Sequence, residues 1–224
     1  MKVCGITEPS EIDVLASQPV DFAGLWYGVP DGPSDLPLEK WREFGAAAAA
    51  TPRLTPVMVT FLKDKDALRE AIETSDVSWV QLHGYQTPGL VRAVKEISPD
   101  VRVLKVLHVR EGECIESRLI GGYEKAGVDV FLFDAVSADG RVGSTGETLD
   151  AGLVAELAED LERPFLLAGG ISAKNRGAYD TVVSDSRFLG IDVDTNARGE
   201  DGKISADNVA AICDAWDADS GEAV

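Results

Sequence analysis

The chain has 224 residues, 45% of them hydrophobic, and a formal net charge of −18 from 39 acidic and 21 basic residues. This length allows a sizeable core, and the composition excludes a disordered chain. The negative charge argues against nucleic acid and anionic membranes as partners, and no apolar run approaches the roughly 20 residues of a membrane span.

The three cysteines, Cys4, Cys114 and Cys213, are widely spaced. They form no CxxC motif, and their spacing predicts no disulfide framework. A strand pattern begins almost at the N-terminus, without a secretory leader. We therefore expect a soluble, cytoplasmic protein. Its acidic balance is typical of proteins from salt-loving microbes, where salt screens charge repulsion, and it predicts a fold that loosens in low salt.

Apolar segments typical of buried strands alternate with segments of helical period. Strands are predicted at 2–6, 22–28, 54–61, 79–83, 102–109, 128–134, 164–170 and 188–193. Helices are predicted at 9–18, 37–50, 65–75, 87–98, 114–127, 149–161, 172–183 and 205–216. Ser172 and Ser205 are good N-caps for the last two helices.

This alternation predicts the fold class. Continuous apolar strands require cover on both faces, so we expect an α/β fold with a parallel sheet, a (β/α)8 TIM barrel. A doubly wound open sheet is the alternative, although no GxGxxG motif opens the first helix. We predict a single domain at residues 1–216, followed by an acidic tail at 217–224.

In such barrels the functional side chains follow the carboxyl ends of the strands. Cys4, His83 and Asp134 lie at the ends of the first, fourth and sixth predicted strands. Each also has a structural interpretation: a buried thiol, a satisfied histidine and a turn-forming carboxylate, respectively. Lys105, within the fifth strand, either caps the barrel floor or acts as a Schiff-base nucleophile.

Two glycine-rich segments are candidates for an anion site. The first, VGSTG at 142–146, follows the sixth predicted strand, and the second, AGG at 168–170, ends the seventh. Glycines there let backbone N–H groups approach an anion, although they also serve plain turns. Barrels often bind phosphate after the seventh and eighth strands. We expect no metal, because no cluster of ligands has metal-binding spacing.

Taken in order, the motifs resemble the phosphoribosylanthranilate isomerase family of tryptophan biosynthesis. They are KVCGIT (2–7), VQLHG (80–84), FLFDA (131–135), GSTG (143–146), LLAGGISAKN (166–175) and GIDV (190–193). The resemblance implies an enzyme that converts an aminoaldose phosphate into an aminoketose phosphate by a cofactor-free Amadori rearrangement. It also implies a small phosphorylated sugar-amine substrate and a monomer or homodimer.

The resemblance also implies roles for individual residues. Cys4 is the implied general base and Asp134 the implied general acid, an opposed pair that suits this isomerisation. A thiol with a pKa near neutrality would suit the base. The implied substrate contacts are His83, Trp26, Tyr27 and Arg110. The implied phosphate contacts are Gly143, Ser144, Gly146, Gly169, Gly170, Thr195 and Arg198.

The chain departs from the family pattern in both segments that would bind the anionic groups of the substrate, the carboxylate and the phosphate. No Lys or Arg occurs between Lys2 and Lys40, where the family carries an arginine for the anthranilate carboxylate. Asp194 adds a negative charge to the loop after the last strand, where the family binds phosphate, and Arg198 could offset it. Gln86 stands where a glutamate usually follows QLHG.

These departures leave several functions open. The chain is either a divergent isomerase that holds its anions with Arg110, Arg141 or Arg198, or a paralogue with another substrate. A Lys105 aldolase and a non-catalytic binding barrel are less favoured. The presence of both Cys4 and Asp134 supports the isomerase interpretation.

Overall fold

A computed structural model describes residues 1–75, 77–137 and 148–217. Eight parallel strands form a closed barrel: β1 (Lys2–Cys4), β2 (Phe22–Trp26), β3 (Thr55–Thr60), β4 (Trp79–Leu82), β5 (Arg102–Arg110), β7 (Val130–Ala135), β8 (Phe165–Leu167) and β9 (Phe188–Val193). A short strand, β6 (Glu113–Cys114), pairs antiparallel with β5. The barrel closes because β1 pairs with both β2 and β9, and β4 pairs with β5. The prediction of a (β/α)8 barrel is confirmed.

Helices cover the outside of the barrel. They are α1 (Pro9–Ala16), α2 (Leu38–Ala49), α3 (Lys65–Glu73), α4 (Pro88–Ile97), α5 (Ile120–Ala126), α6 (Ala151–Glu159), α7 (Asp180–Val183) and α8 (Ala206–Asp217). Each buries an apolar stripe; α3, for example, buries Leu68, Ala71 and Ile72. Its N-cap, Asp64, accepts hydrogen bonds from two backbone N–H groups of the first turn. No helix within the described ranges is long and apolar enough to cross a membrane.

The helix predicted at 114–127 begins later than expected. Cys114 pairs with Val109 in a hairpin, and α5 starts only at Ile120. Glu111 and Gly112 both have positive φ, 51° and 83°, and these angles turn the chain back on β5. The sequence does not indicate this turn, because a non-glycine residue such as Glu111 seldom adopts a positive φ.

The helix predicted at 172–183 is also wrong in its first half. Ser172 does not cap it: its backbone N–H donates to Asn175 Oδ1 at 2.9 Å in a turn. A 3₁₀ helix (Arg176–Tyr179) then precedes the short α7. The Ser205 cap is confirmed, because α8 begins at the next residue and Ser205 Oγ accepts from the backbone N–H of Asn208 at 3.4 Å. The predicted tail at 217–224 lies outside the described residues except for Asp217.

Alternation along the strands decides what fills the barrel. In β5, Leu104 and Val106 belong to an interior cluster with Val130, Leu132 and others, while the intervening side chains pack towards the helices. Apart from Lys2 and its partner Asp192, the lower part of the interior is therefore apolar. At the carboxyl ends of the strands the interior positions become polar, and His108 follows Val106 on the inward face. This change places the polar side chains together at the mouth of the barrel.

Candidate active site

A pocket opens at the carboxyl ends of the strands. Its walls come from four strands (β1, β2, β7 and β9), the residue that follows β4, and the loops that follow β8 and β9. The lining residues are Cys4, Trp26, His83, Asp134, Ala168, Gly169, Gly170, Ile171, Asp192, Val193, Asp194, Thr195 and Asn196. The structure thus brings together seven of the residues predicted from the sequence to form the site: Cys4, Trp26, His83, Asp134, Gly169, Gly170 and Thr195.

The Cys4 thiol lies deep in this pocket and is only 4% exposed. The indole Nε1–H of Trp26 donates to its Sγ at 3.1 Å. Burial raises the pKa of Cys4 to about 12; Lys2 and the indole hydrogen bond oppose this effect, while Asp192 and Asp194 add to it. In the absence of substrate, Cys4 is therefore a neutral thiol, and the expected pKa near neutrality is not found.

A buried ion pair lies directly beside this thiol. Lys2 Nζ donates to both carboxylate oxygens of Asp192 at 2.8 Å, and the Lys2 side chain is fully buried. Burial lowers the pKa of Lys2, but Asp192 and Cys4 more than offset it and leave the pKa above its ordinary value. The ammonium group is therefore charged and available to stabilise a thiolate at Cys4.

The ion pair and the thiol require a glycine on the neighbouring strand. A Cβ atom on Gly24 would lie 2.8 Å from Cys4 Sγ and 3.0 Å from Lys2 Nζ. Both distances are shorter than normal contacts, so a side chain here would displace the two groups from each other. Neither Lys2 nor Asp192 was singled out from the sequence, although Lys2 and Cys4 share one face of a strand by period-2 alternation.

Asp134 and His83 form the opposite wall of the pocket. His83 Nε2 lies 3.3 Å from Asp134 Oδ2, and the backbone N–H of Ala135 donates to Asp134 Oδ1 at 2.9 Å. The amide of Gln81 lies 2.8 Å from His83 Nδ1. Burial lowers the pKa of His83, and the nearby Asp134 opposes this effect. A neutral imidazole that accepts from Gln81 at Nδ1 carries its proton on Nε2, facing Asp134.

The loops after β8 and β9 form the end of the pocket predicted to bind phosphate. Gly169 and Gly170 have positive φ, 83° and 58°, so their backbone takes a course that side-chain-bearing residues rarely follow. Asn196 Nδ2 donates to the carbonyls of Gly170 and Ile171 at 3.2 and 2.9 Å, tying the two loops together. Thr195 lines the pocket beside it.

The remaining predicted phosphate contacts in the loop after β7 are Gly143, Ser144 and Gly146. They lie outside the described residues, as does Arg141. Their roles remain predictions. Asn196 was not predicted, because its part in joining two loops depends on a contact 25 or 26 residues away in the chain.

Arg198 pairs with Asp194 in the loop that follows β9. Its Nε and Nη2 lie 2.8 and 2.7 Å from Asp194 Oδ1. Nη2 also donates to the carbonyl of Gly5 at 2.7 Å, and Nη1 to that of Gly202 at 2.9 Å. The guanidinium therefore neutralises Asp194 and ties the last loop to the first, and its predicted phosphate contact stays a prediction.

Three other candidates lie away from the pocket. Tyr27 packs against the core between barrel and helices, one residue out of phase with the inward-facing Trp26. Arg110 is exposed at the end of β5, opposite Glu113 of the hairpin. Lys105 is fully buried on the outer face of β5, where it donates to the carbonyls of Gly84 and Val106.

The surroundings of Lys105 explain its position. Its ammonium group lies 5.4 Å from the ring centre of Tyr123 in α5, and 3.8 Å from Glu116. Burial lowers the pKa of Lys105 to about 8, with Glu116 opposing. Because the amine does not reach the pocket, a Schiff-base aldolase has no support. Within the described residues, no group of three or more potential ligands is arranged to hold a metal ion.

A closed parallel barrel with a thiol and a carboxylic acid across its mouth defines the class: a TIM-barrel protein with an acid–base site. The sequence model of N-(5'-phosphoribosyl)anthranilate isomerase matches residues 1–215. The isomerase of Natronomonas pharaonis is 31% identical over 96% of both chains. "N-(5'-phosphoribosyl)anthranilate isomerase 2" of Methanosarcina mazei is 27% identical, covering 90% of this chain and 87% of its own. The chain belongs to the phosphoribosylanthranilate isomerase family.

Solved structures support the same fold. The phosphoribosylanthranilate isomerase of Thermus thermophilus superposes with a TM-score of 0.76, at 20% identity and over 96% of both chains. That of Thermotoga maritima has a TM-score of 0.75 at 21% identity, over 97% of this chain and 98% of the other. A further isomerase structure, in complex with reduced 1-(o-carboxyphenylamino)-1-deoxyribulose 5-phosphate, has a TM-score of 0.72 at 19% identity over 97% of both chains.

Proposed function

We propose that this chain is a phosphoribosylanthranilate isomerase, which converts the aminoaldose phosphate N-(5'-phosphoribosyl)anthranilate into its aminoketose by a cofactor-free Amadori rearrangement in tryptophan biosynthesis. The observation that carries this proposal is the placement of Cys4 and Asp134 in one pocket, on strands separated by β8 and β9. The family match over residues 1–215 supports the choice of substrate.

Asp134 acts first, as the general acid. It delivers a proton to the ring oxygen of the ribose, the bond from that oxygen to C1' breaks, and the nitrogen lone pair forms an iminium. His83 supports this step as a neutral imidazole whose Nε2 faces Asp134 Oδ2 at 3.3 Å. Because this imidazole is uncharged, it lies beside the carboxyl group of Asp134 without adding a second positive charge near the iminium that forms.

Cys4 acts second, as the general base. The Cys4 thiol first loses its own proton to solvent, and the iminium acidifies the proton on C2', which the thiolate then removes. The resulting enol becomes the ketone when C1' gains a proton and the C2' hydroxyl loses one. With a pKa of about 12, the thiol ionises only with help. That value already includes the positive charge of Lys2, so the further help comes from the iminium, which adds a second positive charge when it forms. Thiolate formation is therefore coupled to the arrival of the intermediate.

The phosphate binds at the loops after β8 and β9, where Gly169, Gly170 and Thr195 line the pocket. Asp194 would repel a phosphate, but its carboxylate is held by Arg198 at 2.7 Å. This neutralisation weakens the case for a paralogue with a different, non-phosphorylated substrate. A small phosphorylated sugar-amine follows as the substrate; the monomer or homodimer and the cytoplasmic location stay predictions.

The experiment is complementation of a tryptophan auxotroph that lacks this isomerase, together with an assay of the purified protein on phosphoribosylanthranilate in high and low salt. Growth and turnover by the wild type, and neither by Cys4→Ala, support the proposal. A folded wild-type protein that fails in both tests would refute the proposed function and favour the paralogue. Circular dichroism at both salt concentrations separates a missing activity from a missing fold.

A further inference from the structure

A second histidine, which the proposed mechanism does not use, is held rigidly beside the pocket. His108 is fully buried on the inward face of β5, directly opposite Asp134 in the strand register. Its Nδ1 lies 2.6 Å from Glu116 Oε1, and its backbone N–H donates to Glu116 Oε2 at 2.9 Å. This clamp fixes the orientation of the ring.

The clamp also fixes which nitrogen carries a proton. Burial raises the pKa of Glu116, but the hydrogen bonds and charge from His108, together with Lys105, leave it below its ordinary value. Glu116 is therefore a carboxylate, and Nδ1 of His108 donates to it. The nitrogen left for another ligand is Nε2, and a ligand carboxylate bound there would place the ring between two carboxylates, each accepting one N–H.

Nε2 of His108 is a buried polar atom with no hydrogen-bond partner among the described residues. Such atoms are rare, because each costs about 1–3 kcal/mol when left unsatisfied. The side-chain oxygens of Gln81 and Gln86 share this property, and both residues lie on β4 or just after it. Unsatisfied polar atoms thus cluster where β4 and β5 reach the mouth of the barrel, as expected of a surface built for a polar ligand.

The rings around His108 indicate where such a ligand would enter. The His83 ring centre, in the pocket wall, lies 6.0 Å from that of His108, and Tyr85 lies 4.7 Å away. Tyr85 is 45% exposed and packs over His108 from the solvent side. A ligand group at Nε2 would therefore come from the pocket side, beside His83, rather than past the Tyr85 ring.

Charge identifies the ligand group. The substrate of the proposed function has two anionic ends, a phosphate and an aromatic carboxylate. Among the described residues at the mouth, Lys2 is bound to Asp192 and Arg198 to Asp194. The phosphate is assigned to the glycine-rich loops after β8 and β9. The carboxylate is left with the β4 and β5 side, where Nε2 of His108 has no partner among the described residues.

We propose that His108 is a specificity-determining residue whose Nε2 binds the aromatic carboxylate of the substrate through an N–H donor, with Glu116 as the residue that positions the ring. This inference rests on the proposed function. It assigns Tyr85 as a cover on the solvent side rather than a ligand, and it explains why a histidine occupies an inward position whose lower neighbours on β5, Leu104 and Val106, are apolar.

The test compares two ligands and two variants by isothermal titration calorimetry. The ligands are the reduced product analogue, which carries the carboxylate, and its counterpart with an unsubstituted phenyl ring. In His108→Asn the shorter amide can still donate to Glu116 but does not reach the position of Nε2. In His108→Gln the longer amide can occupy that position. Thermal unfolding of each variant confirms that it is folded.

We expect His108→Asn to bind the carboxylate ligand roughly 10- to 100-fold more weakly, the usual loss of a hydrogen bond to a charged group. It should bind the phenyl ligand like the wild type, and His108→Gln should recover part of the loss. Equal weakening of both ligands, or no weakening, would overturn the inference. Tyr85→Ala should leave the carboxylate preference intact, and its loss would assign the contact to Tyr85.

The same titrations separate this inference from the function on which it rests. A wild type that turns over phosphoribosylanthranilate while His108→Asn keeps its full preference for the carboxylate ligand refutes the role of His108 alone. A wild type that neither binds the analogue nor turns over the substrate refutes the proposed function, and the inference with it.

Discussion

The two sides of the barrel mouth satisfy their polar side chains in different ways. On the paired side, formed by β1 and β9, each charge meets an opposite one; its residues are Lys2, Cys4, Asp192, Asp194 and Arg198. On the open side, formed by β4, β5 and β7, polar atoms of Gln81, His83 and His108 have no hydrogen bond among the described residues, and Asp134 lies beside His83.

This difference teaches that charge alone does not identify a ligand contact. Arg198 carries a full charge, but its donors are taken by Asp194 and the carbonyls of Gly5 and Gly202. His108 uses only Nδ1 and keeps Nε2. The unused hydrogen-bonding capacity of a side chain, rather than its formal charge, indicates which group meets the substrate.

The largest expected effect is on the open side. We expect Asp134→Asn to lower kcat by roughly 10²- to 10⁴-fold, the usual contribution of a general acid, with little change in stability. The matched control is Asp129→Asn, just before the other end of the same strand, where Asp129 binds Lys95 at 2.7 Å and Arg102 at 3.1 Å. That variant should lose stability and keep kcat. Similar kcat values for the two variants would contradict the assignment.

On the paired side, a charge should matter more for stability than for chemistry. We expect Arg198→Met to lower the free energy of unfolding by roughly 2–4 kcal/mol, because it removes the positive charge beside the partly buried Asp194 and the hydrogen bonds to Gly5 and Gly202. Arg102→Met is the control, since Arg102 is 61% exposed and its pair with Asp129 contributes less than about 1 kcal/mol. Urea denaturation measures both. Equal losses of unfolding free energy in the two variants would show that Arg198 does not stabilise the paired side.

A smaller effect concerns the reactivity of Cys4. With a pKa of about 12 the thiol is protonated throughout the neutral range, so its alkylation rate should rise about tenfold per unit between pH 7 and 9. Lys2 lowers this pKa, so Lys2→Met should raise it further and slow alkylation at each pH. Iodoacetamide labelling with peptide mapping distinguishes Cys4 from Cys114 and Cys213. A rate that levels off near pH 7 would contradict this account.

The sequence predicted the barrel well because its strands are continuous apolar runs at regular intervals. All eight predicted strands are present. The errors have local causes. Glu111 adopts a positive φ and makes a hairpin where a helix was expected. At 172–183, the Asn175 side chain holds a turn that competes with the predicted helix start.

The site was predicted where strand ends alone determine it, as for Cys4, His83 and Asp134. It was missed where the partners are distant in sequence. Lys2 and Asp192 are 190 residues apart, and only closure of the barrel between β1 and β9 brings them together. Arg198 illustrates the reverse case, because the sequence places it near the phosphate loop without indicating that Asp194 holds it.

The central claim is that the Cys4 thiolate removes the substrate proton. The most direct test is turnover of phosphoribosylanthranilate by Cys4→Ala, measured beside its affinity for the reduced product analogue. We predict a loss in kcat of roughly 10²-fold or more, with the affinity changed less than about threefold, because the thiol acts in the chemical step rather than in binding. A Cys4→Ala variant within tenfold of the wild-type kcat would contradict the account.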